Sequence, residues 1–541
     1  MLTRLSLQKL GMLRNEIAMT KLRLQFIYCA AAFLLLMIFL IGLDQALLFD
    51  VDEGAFTEAT REMLVSKDWW HTTLNGADRF DKPIGIYWLQ AISASLMGNN
   101  EFAYRLPSAL SGWLGSLALA FFAKKKWGAK AAVVAALVSA TSLGPWAMAR
   151  TATADALLGL FFVLIFLDLW RAIESKNLFY SRRLSVWVGL GLLVKGPVAV
   201  VVPLGTLIIY FWNVPLERNH IKKIFFDAWS WVLAICVALP WYFYAYSRHG
   251  QLFIDGFFLK HNVERFTGSL EGHSGSWLYF FIALPILWMP WSFMGLKALS
   301  NFHHLWQQPF LKFAWTWFGF VFLFFSLANT KLPHYLLYAA PAVCCLITVT
   351  AIQAEKWTWI LTSLFGFISL GLLLCAPSFL LINLELIKND FYFKLFQDAN
   401  DTEMWKWLLA APFLVITFYI LNAFLRKLTL AHIQDKFLFG FLAFSVFQSS
   451  VLALVALPWW SHTLQSPIQQ LAITIKDRPE TLVQWGVHFP SISTYRQSET
   501  PKRNPLPGEL ALVRNVNADW PVDAIVIDAR GPLSVIQLPA N

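Results

Sequence analysis

The chain has 541 residues, 57% of them hydrophobic and only 14% charged, with a formal net charge of +10. That balance excludes an ordinary soluble globular domain. It also argues against a nucleic-acid partner, because the basic residues fall in short clusters between apolar runs rather than along one soluble face.

Runs such as Phe26 to Leu43 and Trp357 to Leu374 are almost free of charge, and each approaches the roughly 20 residues that cross a hydrocarbon core. They lack the period-2 alternation of a barrel strand, so helices are the remaining way to satisfy every backbone amide in lipid. The expected fold class is a polytopic α-helical membrane protein with about 13 transmembrane helices. In chain order the spans are expected near 24–43, 104–123, 130–148, 153–171, 184–196, 198–213, 228–246, 277–295, 313–328, 335–352, 357–383, 405–425 and 437–458. The fifth and sixth can equally be one bent helix broken at Gly196-Pro197, since Pro removes a backbone donor.

Basic clusters at Arg4 to Arg23, Lys124 to Lys130, Arg182-Arg183, Arg218 to Lys223 and Arg426-Lys427 recur after every second span. Positive-inside placement then puts the N-terminus in the cytoplasm and, with an odd span count, the C-terminus outside. The first apolar run has no small-residue cleavage site and reads as a retained anchor. All five cysteines fall inside expected spans, so neither a disulfide framework nor a zinc-ligand spacing follows.

Three outer segments are rich in ionisable groups: Asp44 to Tyr104, Ser247 to Ser276, and the tail after Ser461. In the first, Ala55, Ala59 and Met63 repeat at four with Glu58, Arg61 and Glu62 elsewhere, as in an interfacial amphipathic helix over Asp52 to Ser66. Ile84, Trp88, Ile92 and Leu96 repeat the pattern after Pro83, so a second interfacial helix follows. The tail loses the membrane signal and gains strand-like runs at Leu482 to Gly486, Leu510 to Arg514, Ala524 to Asp528 and Ser534 to Leu538. The expected organisation is a transmembrane domain over 1–460 and a small outer α/β domain over 461–541.

Ionisable groups at span ends are functional candidates by default. Asp52 and Glu53 follow the first span, where they suit helix capping as well as chemistry. Asp81-Lys82-Pro83 places a cation at a helix start, which needs an anionic partner: Asp81 itself, or a phosphate that also gains from the helix amides. Asp155 pairs with Arg150 or serves a site. Lys331, His334 and Tyr335 crowd one tight outer turn, and the loop after Ser247 adds His261, Arg265 and His273. On the expected topology all of these emerge on one face, and acids together with phosphate-binding cations suit sugar transfer from a lipid phosphate.

At these residues the chain resembles the bacterial branch of the dolichyl-phosphate-mannose protein mannosyltransferase family, including the lipid A aminoarabinose transferases, of the glycosyltransferase C superfamily. The resemblance rests on Asp52-Glu53, Asp81-Lys82-Pro83 with Tyr87-Trp88-Leu89, Arg105-Leu106-Pro107-Ser108, Thr153-Ala154-Asp155, Lys195-Gly196-Pro197 and Lys331-Leu332-Pro333-His334-Tyr335. It implies a nucleotide-independent inverting glycosyltransferase of the bacterial inner membrane, working on the periplasmic side. The implied donor is a polyprenyl (undecaprenyl) phosphate sugar and the acceptor lipid A or another envelope glycan. It further implies that Asp52, Glu53 and Asp155 serve catalysis, while Lys82, Arg265, Lys331 and Tyr335 bind substrate. No cofactor is required by the resemblance, although in some relatives a divalent metal ion is held at the positions nearest Asp81 and His261. Protein O-mannosylation shares the donor side and is the alternative. A polyprenyl-lipid transporter is disfavoured by the lack of repeated halves.

Overall fold

The computed structural model describes residues 25–264, 275–276, 278–399, 433–515, 520–521 and 523–539. The expected span at 405–425 and the basic clusters at Arg4 to Arg23 and Arg426-Lys427 lie outside these residues. The helices run α1 (Gln25–Leu40), α2 (Asp52–Ser66), α3 (Gly85–Met97), α4 (Glu101–Trp127), α5 (Ala129–Thr141), α6 (Leu143–Met148), α7 (Asp155–Ser175), α8 (Leu178–Lys195), α9 (Val198–Asn213), α10 (Arg218–Phe225) and α11 (Ala228–His249). Further long helices cover Pro309–Leu327, Lys356–Ile382 and Leu457–Thr474.

Among the described residues, seven helices are long and apolar enough to cross a membrane. The large side chains Phe121, Trp212, Phe243, Leu323 and Leu372 stand exposed on the outside of the bundle, a surface that lipid rather than water covers. The chain is a polytopic helical membrane protein. The expected spans at 24–43 and 198–213 coincide with the shorter apolar helices α1 and α9, while 130–148 is divided between α5 and α6. The segment 277–295 is not straight: Tyr279–Leu287 and Ser292–Ser300 meet at 120°, with Pro290 at the break withdrawing a backbone donor.

Local signals explain where the helices stop. Asn100 caps α4 by accepting from the Ala103 amide at 2.9 Å, Glu101 occupies its first turn, and Lys124 to Lys126 crowd its last, as the helix dipole favours. Between α8 and α9 the chain turns at Gly196, whose φ is +78° and whose missing Cβ leaves room for the Phe257 ring. A side chain there would be strained and would collide with that ring. Both predicted helices therefore exist as separate elements across Gly196-Pro197.

Before α3, strands β1 (Thr73–Leu74) and β2 (Ala77–Asp78) form an antiparallel hairpin. The tail holds a four-stranded sheet of β3 (Leu482–Gln484), β4 (Leu510–Arg514), β5 (Ile525–Arg530) and β6 (Leu533–Gln537), in the order β3-β4-β6-β5. The β3-β4 pair is parallel, and the β4-β6 and β6-β5 pairs are antiparallel. Ile468, Leu471, Ala472 and Ile475 pack on one face of the sheet against Leu482, Leu510, Leu512, Leu533 and Val535. Helix Leu457–Thr474 thus runs through position 461, where the tail was expected to begin, and carries the sheet's core on its far end.

The main departure from expectation is α2. Its Glu58, Arg61 and Glu62, expected on an exposed polar face, are buried along with the whole stretch from Glu53 to Met63. The helix Ser491–Arg496 covers it from the tail, and the buried polar groups are satisfied locally. Arg61 donates to both Glu58 oxygens at 2.8 and 2.6 Å. Glu62 accepts from the Thr73 hydroxyl and, at 2.5 Å, from the Asn75 amide. In α3 Tyr87, Gln90 and Ala94 are buried while Leu89, Ile92 and Leu96 are exposed.

Arg105 of α4 is 2% exposed and donates to both oxygens of Glu53 at 2.8 Å. It donates as well to the carbonyls of Leu43, Ala46 and Leu47. Removing one partner of such a buried pair strands the other charge. We predict that Arg105→Ala lowers stability by about 3–5 kcal/mol, read as lost detergent-solubilised, monodisperse protein and a lower unfolding midpoint. A wild-type midpoint would show that the pair is not structural.

Candidate active site at the bundle mouth

Asp155 opens α7 and Lys195 closes α8, two neighbouring antiparallel helices, so the turns put both at the same end of the bundle. Lys195 Nζ lies 2.5 Å from Asp155 Oδ1, and His334 Nε2 stands 3.8 Å from the same oxygen. The Lys195 ammonium also rests over the rings of Tyr338 and Tyr335, at 5.6 and 5.9 Å. Sequence offered Lys195 only within a family motif. The signal that identified it was available: a lone cation at the end of an apolar run, where charge is costly unless used.

On the first outer segment, Asp81 is gripped from three sides. Lys82 Nζ is 2.7 Å and His261 Nδ1 3.0 Å from its Oδ1, and Arg79 Nη2 is 2.9 Å from its Oδ2. Burial alone would raise the Asp81 carboxyl, but Lys82, His261 and Arg79 together hold it well below the usual carboxylate range. Arg79, which the sequence did not single out, donates its Nε to the Tyr87 hydroxyl at 3.0 Å and so ties the acid to α3.

Asp52 stands at the start of α2 with its side chain accessible. Its carboxyl is raised above the ordinary value by desolvation first and then by the Asp155 charge, against the opposing pull of Lys82 and Lys195, with Asp81 adding to the rise. Three acids and two lysines from separate segments therefore share one electrostatic neighbourhood. Near them a narrow apolar crevice, lined by Gly112, Gly115, Leu160, Trp288 and Leu337, includes Asp155 in its wall.

Other expected site residues fall elsewhere. Glu53, next to Asp52, does not face the mouth: its oxygens take up Arg105, the Ala152 amide at 2.6 Å and the Phe49 amide at 3.0 Å. Lys331 is buried with its ammonium on the carbonyls of Ser326 and Ala328 at 2.5 and 2.6 Å, capping the helix Pro309–Leu327. Desolvation lowers its pKa. Arg150 does not pair with Asp155; it donates to the carbonyls of Phe39 and Ile41 at the end of α1. Both cations answer orphan carbonyls at helix ends, a role that sequence spacing does not reveal. Tyr335 is buried beside His334 and Phe325 and lines the Lys195 side of the mouth. Arg265 and His273 lie outside the described residues. Asp81 and His261 do meet, at 3.0 Å. Lys82 and Arg79 occupy the same carboxylate, so the pair does not fit a metal ion as arranged.

The tail segment completes the mouth's support. Asp50 accepts from the amide of Ser491 at 2.9 Å and from its hydroxyl, Thr57 and Thr494 share a hydrogen bond at 3.2 Å, and the Leu48 amide donates to the Tyr495 hydroxyl at 2.9 Å.

A family model described as dolichyl-phosphate-mannose-protein mannosyltransferase matches residues 81–244. A protein of Aquifex aeolicus (strain VF5), described only as uncharacterized, is 31% identical over 307 residues, 56% of this chain and 67% of that protein. The undecaprenyl phosphate-alpha-4-amino-4-deoxy-L-arabinose arabinosyl transferase of Serratia proteamaculans (strain 568) is 26% identical over 409 residues, 70% of this chain and 73% of its own length. In three dimensions the chain follows the crystal structure of ArnT from Cupriavidus metallidurans bound to undecaprenyl phosphate, with a TM-score of 0.77 and 19% identity, over 95% of this chain and 97% of that one. The apo state of the same protein gives a TM-score of 0.73.

Burial pushes the Asp50 carboxyl up from its ordinary 3.8 to about 7, despite the two Ser491 hydrogen bonds that lower it. A carboxyl raised in the folded state contributes stability that is fully present below its unfolded pKa and is lost as pH rises through the folded one. We predict that the unfolding midpoint in detergent falls between about pH 4 and pH 7 and falls less in Asp50→Asn. Parallel curves for the two proteins would exclude Asp50 as the titrating group.

Proposed function

The chain belongs to the dolichyl-phosphate-mannose-protein mannosyltransferase family, and from that premise we propose that it transfers a sugar from undecaprenyl phosphate to lipid A or a related envelope acceptor. The observation that carries this reading is the meeting of Asp52, Asp81 and Asp155 with Lys82 and Lys195 at one mouth of an apolar bundle. A lipid-linked phosphate donor needs such a place: cations for its headgroup, acids for the sugar and acceptor, and an apolar flank for its chain. The names borne by the relatives favour an aminoarabinose donor, whose ammonium suits a carboxylate-rich mouth.

The reaction is a single inverting displacement. The acceptor oxygen attacks the anomeric carbon, the bond from that carbon to the phosphate oxygen breaks, and its electron pair leaves with the lipid phosphate. Negative charge therefore grows on the phosphate, where Lys82, held in place by Asp81, stabilises the transition state more than the ground state. A hydroxyl acceptor gives its proton to Asp52, whose raised pKa brings it nearer the working pH of a general base. An acceptor that is already a phosphate anion needs only to be positioned. Asp155, fixed by Lys195, orients the sugar from the other side. Glu53 we assign to holding the first outer segment in register, and Lys331 to closing a helix.

At the opposite end of the bundle lie the basic clusters at Lys124 to Lys130 and Arg182-Arg183. Lys126 pairs with Glu174, and Arg182 with Asp227. Positive-inside placement makes that end cytoplasmic and the mouth periplasmic, in the bacterial inner membrane.

Two outcomes test this reading. Asp52→Asn keeps helix-capping capacity but cannot take a proton, so turnover with a synthetic undecaprenyl phosphate sugar should fall about a hundredfold or more at normal protein yield. Lys82→Ala should mainly weaken donor use; wild-type kinetics in both would dismiss the mouth as the reaction centre. For orientation, Ala77→Cys should react with a membrane-impermeant maleimide in intact spheroplasts while Lys125→Cys does not, and the reverse pattern would invert the topology.

A further inference from the structure

Beside the mouth, but separate from its acids, two imidazoles and a carboxylate converge from different elements. His71 precedes β1, Asp78 ends β2, and His249 is the last residue of α11. The hairpin pairs Thr73 with Asp78 and joins the Arg79 amide to the Thr72 carbonyl at 2.9 Å, which sets His71 and Asp78 side by side. His71 Nε2 lies 3.1 Å from Asp78 Oδ1, and His249 Nδ1 lies 3.2 Å from Asp78 Oδ2. The two rings are 4.7 Å apart, and one donor atom from each of the three residues falls within 4.8 Å of the others.

We propose that His71, Asp78 and His249 form a divalent metal site, with zinc as the favoured ion, that clamps the β1-β2 hairpin to the end of α11.

Two His nitrogens and one carboxylate form a donor set that zinc accepts, with a fourth position left for water. The imidazoles are largely buried while Asp78 is 44% exposed, so the open position faces solvent. Although His71 Nε2 is buried and close to Asp78, it makes no hydrogen bond there, as expected of a nitrogen presenting a lone pair. Arg248, the residue before His249, is the neighbouring cation. Arg248 is itself engaged by Asp68 at 2.7 Å, so its charge is partly answered. Asp78 lies on a hairpin turned at Gly76, with its side chain 44% exposed.

The clamp has a consequence next door. Phe80, two residues beyond Asp78, packs on the His249 ring at 5.0 Å and directly precedes Asp81-Lys82. Fixing the hairpin on α11 therefore fixes the approach of those two residues to the mouth. Metal binding itself does not depend on which reaction the mouth performs.

The test is cobalt and zinc binding by the full-length chain in detergent after chelator treatment. Wild type should bind a single Co2+ per chain with visible d–d absorption, lose that signal to Zn2+, and gain thermal stability with Zn2+. His71→Ala and Asp78→Asn should each weaken Co2+ binding at least about tenfold and abolish the zinc-dependent rise in midpoint. Asp81→Asn and His261→Ala should bind Co2+ as wild type does. The proposal is overturned if wild type shows no saturable Co2+ binding, if His71→Ala and Asp78→Asn bind unchanged, or if binding is lost only in the Asp81 and His261 variants. Asp78→Asn alters an exposed, near-isosteric side chain, and so decides the matter even if His71→Ala fails to accumulate.

Discussion

Arg105 and Glu53 form a buried ion pair at the point where the chain leaves the first helix and must turn into the outer layer. A charge there is tolerable only when every hydrogen-bonding position is used. The guanidinium takes the carbonyls of Leu43, Ala46 and Leu47 between α1 and α2, while the carboxylate takes amides from Phe49 and from Ala152, just ahead of α7. One pair thereby joins the end of α1, the start of α2, the first turns of α4 and the entry to α7. Asp52 and Asp155 are the neighbours of the segments so joined, and their meeting at the mouth depends on it.

Around that knot the ionisable groups divide by whether the protein has already used them. Arg150 and Lys331 spend their donors on helix C-termini, and Glu58 is matched by Arg61. Lys82 is held by the carboxylate and the carbonyl of Asp81, and Lys195 by the carboxylate of Asp155. The three acids and two lysines of the mouth are thus ordered against one another by the protein itself.

The tail takes part in this organisation. Hydrogen bonds from Ser491, Thr494 and Tyr495 reach Asp50, Thr57 and Leu48, so a segment more than four hundred residues away in sequence covers α2. The exposed apolar stripe of α3, by contrast, has no protein cover among the described residues and faces outward beside the bundle.

The sequence by itself determined that the chain lives in a membrane, where most helices begin and end, and which motifs carry charge at span ends. These are local or one-dimensional properties: hydrocarbon thickness sets helix length, and Gly196, Asn100 and the lysine clusters act within a turn of where they stand. It also located Asp52, Asp81, Lys82 and Asp155, since ionisable residues in such places are rare enough to be informative. Only the tertiary structure decided their partners. The period-4 stripe of α2 reads in the sequence as that of an interfacial amphipathic helix, because nothing local announces that Ser491–Arg496 will cover its polar side. Glu53 and Lys331 stand at span ends like Asp52 and Asp155, but their contacts are those of a buried anchor and a helix cap, and Lys195 acquires its place only when α8 packs against α7. Hydrogen-bond partners and burial are set by segments distant in sequence, so two residues of identical type at similar span ends acquire different roles from what the fold places against them.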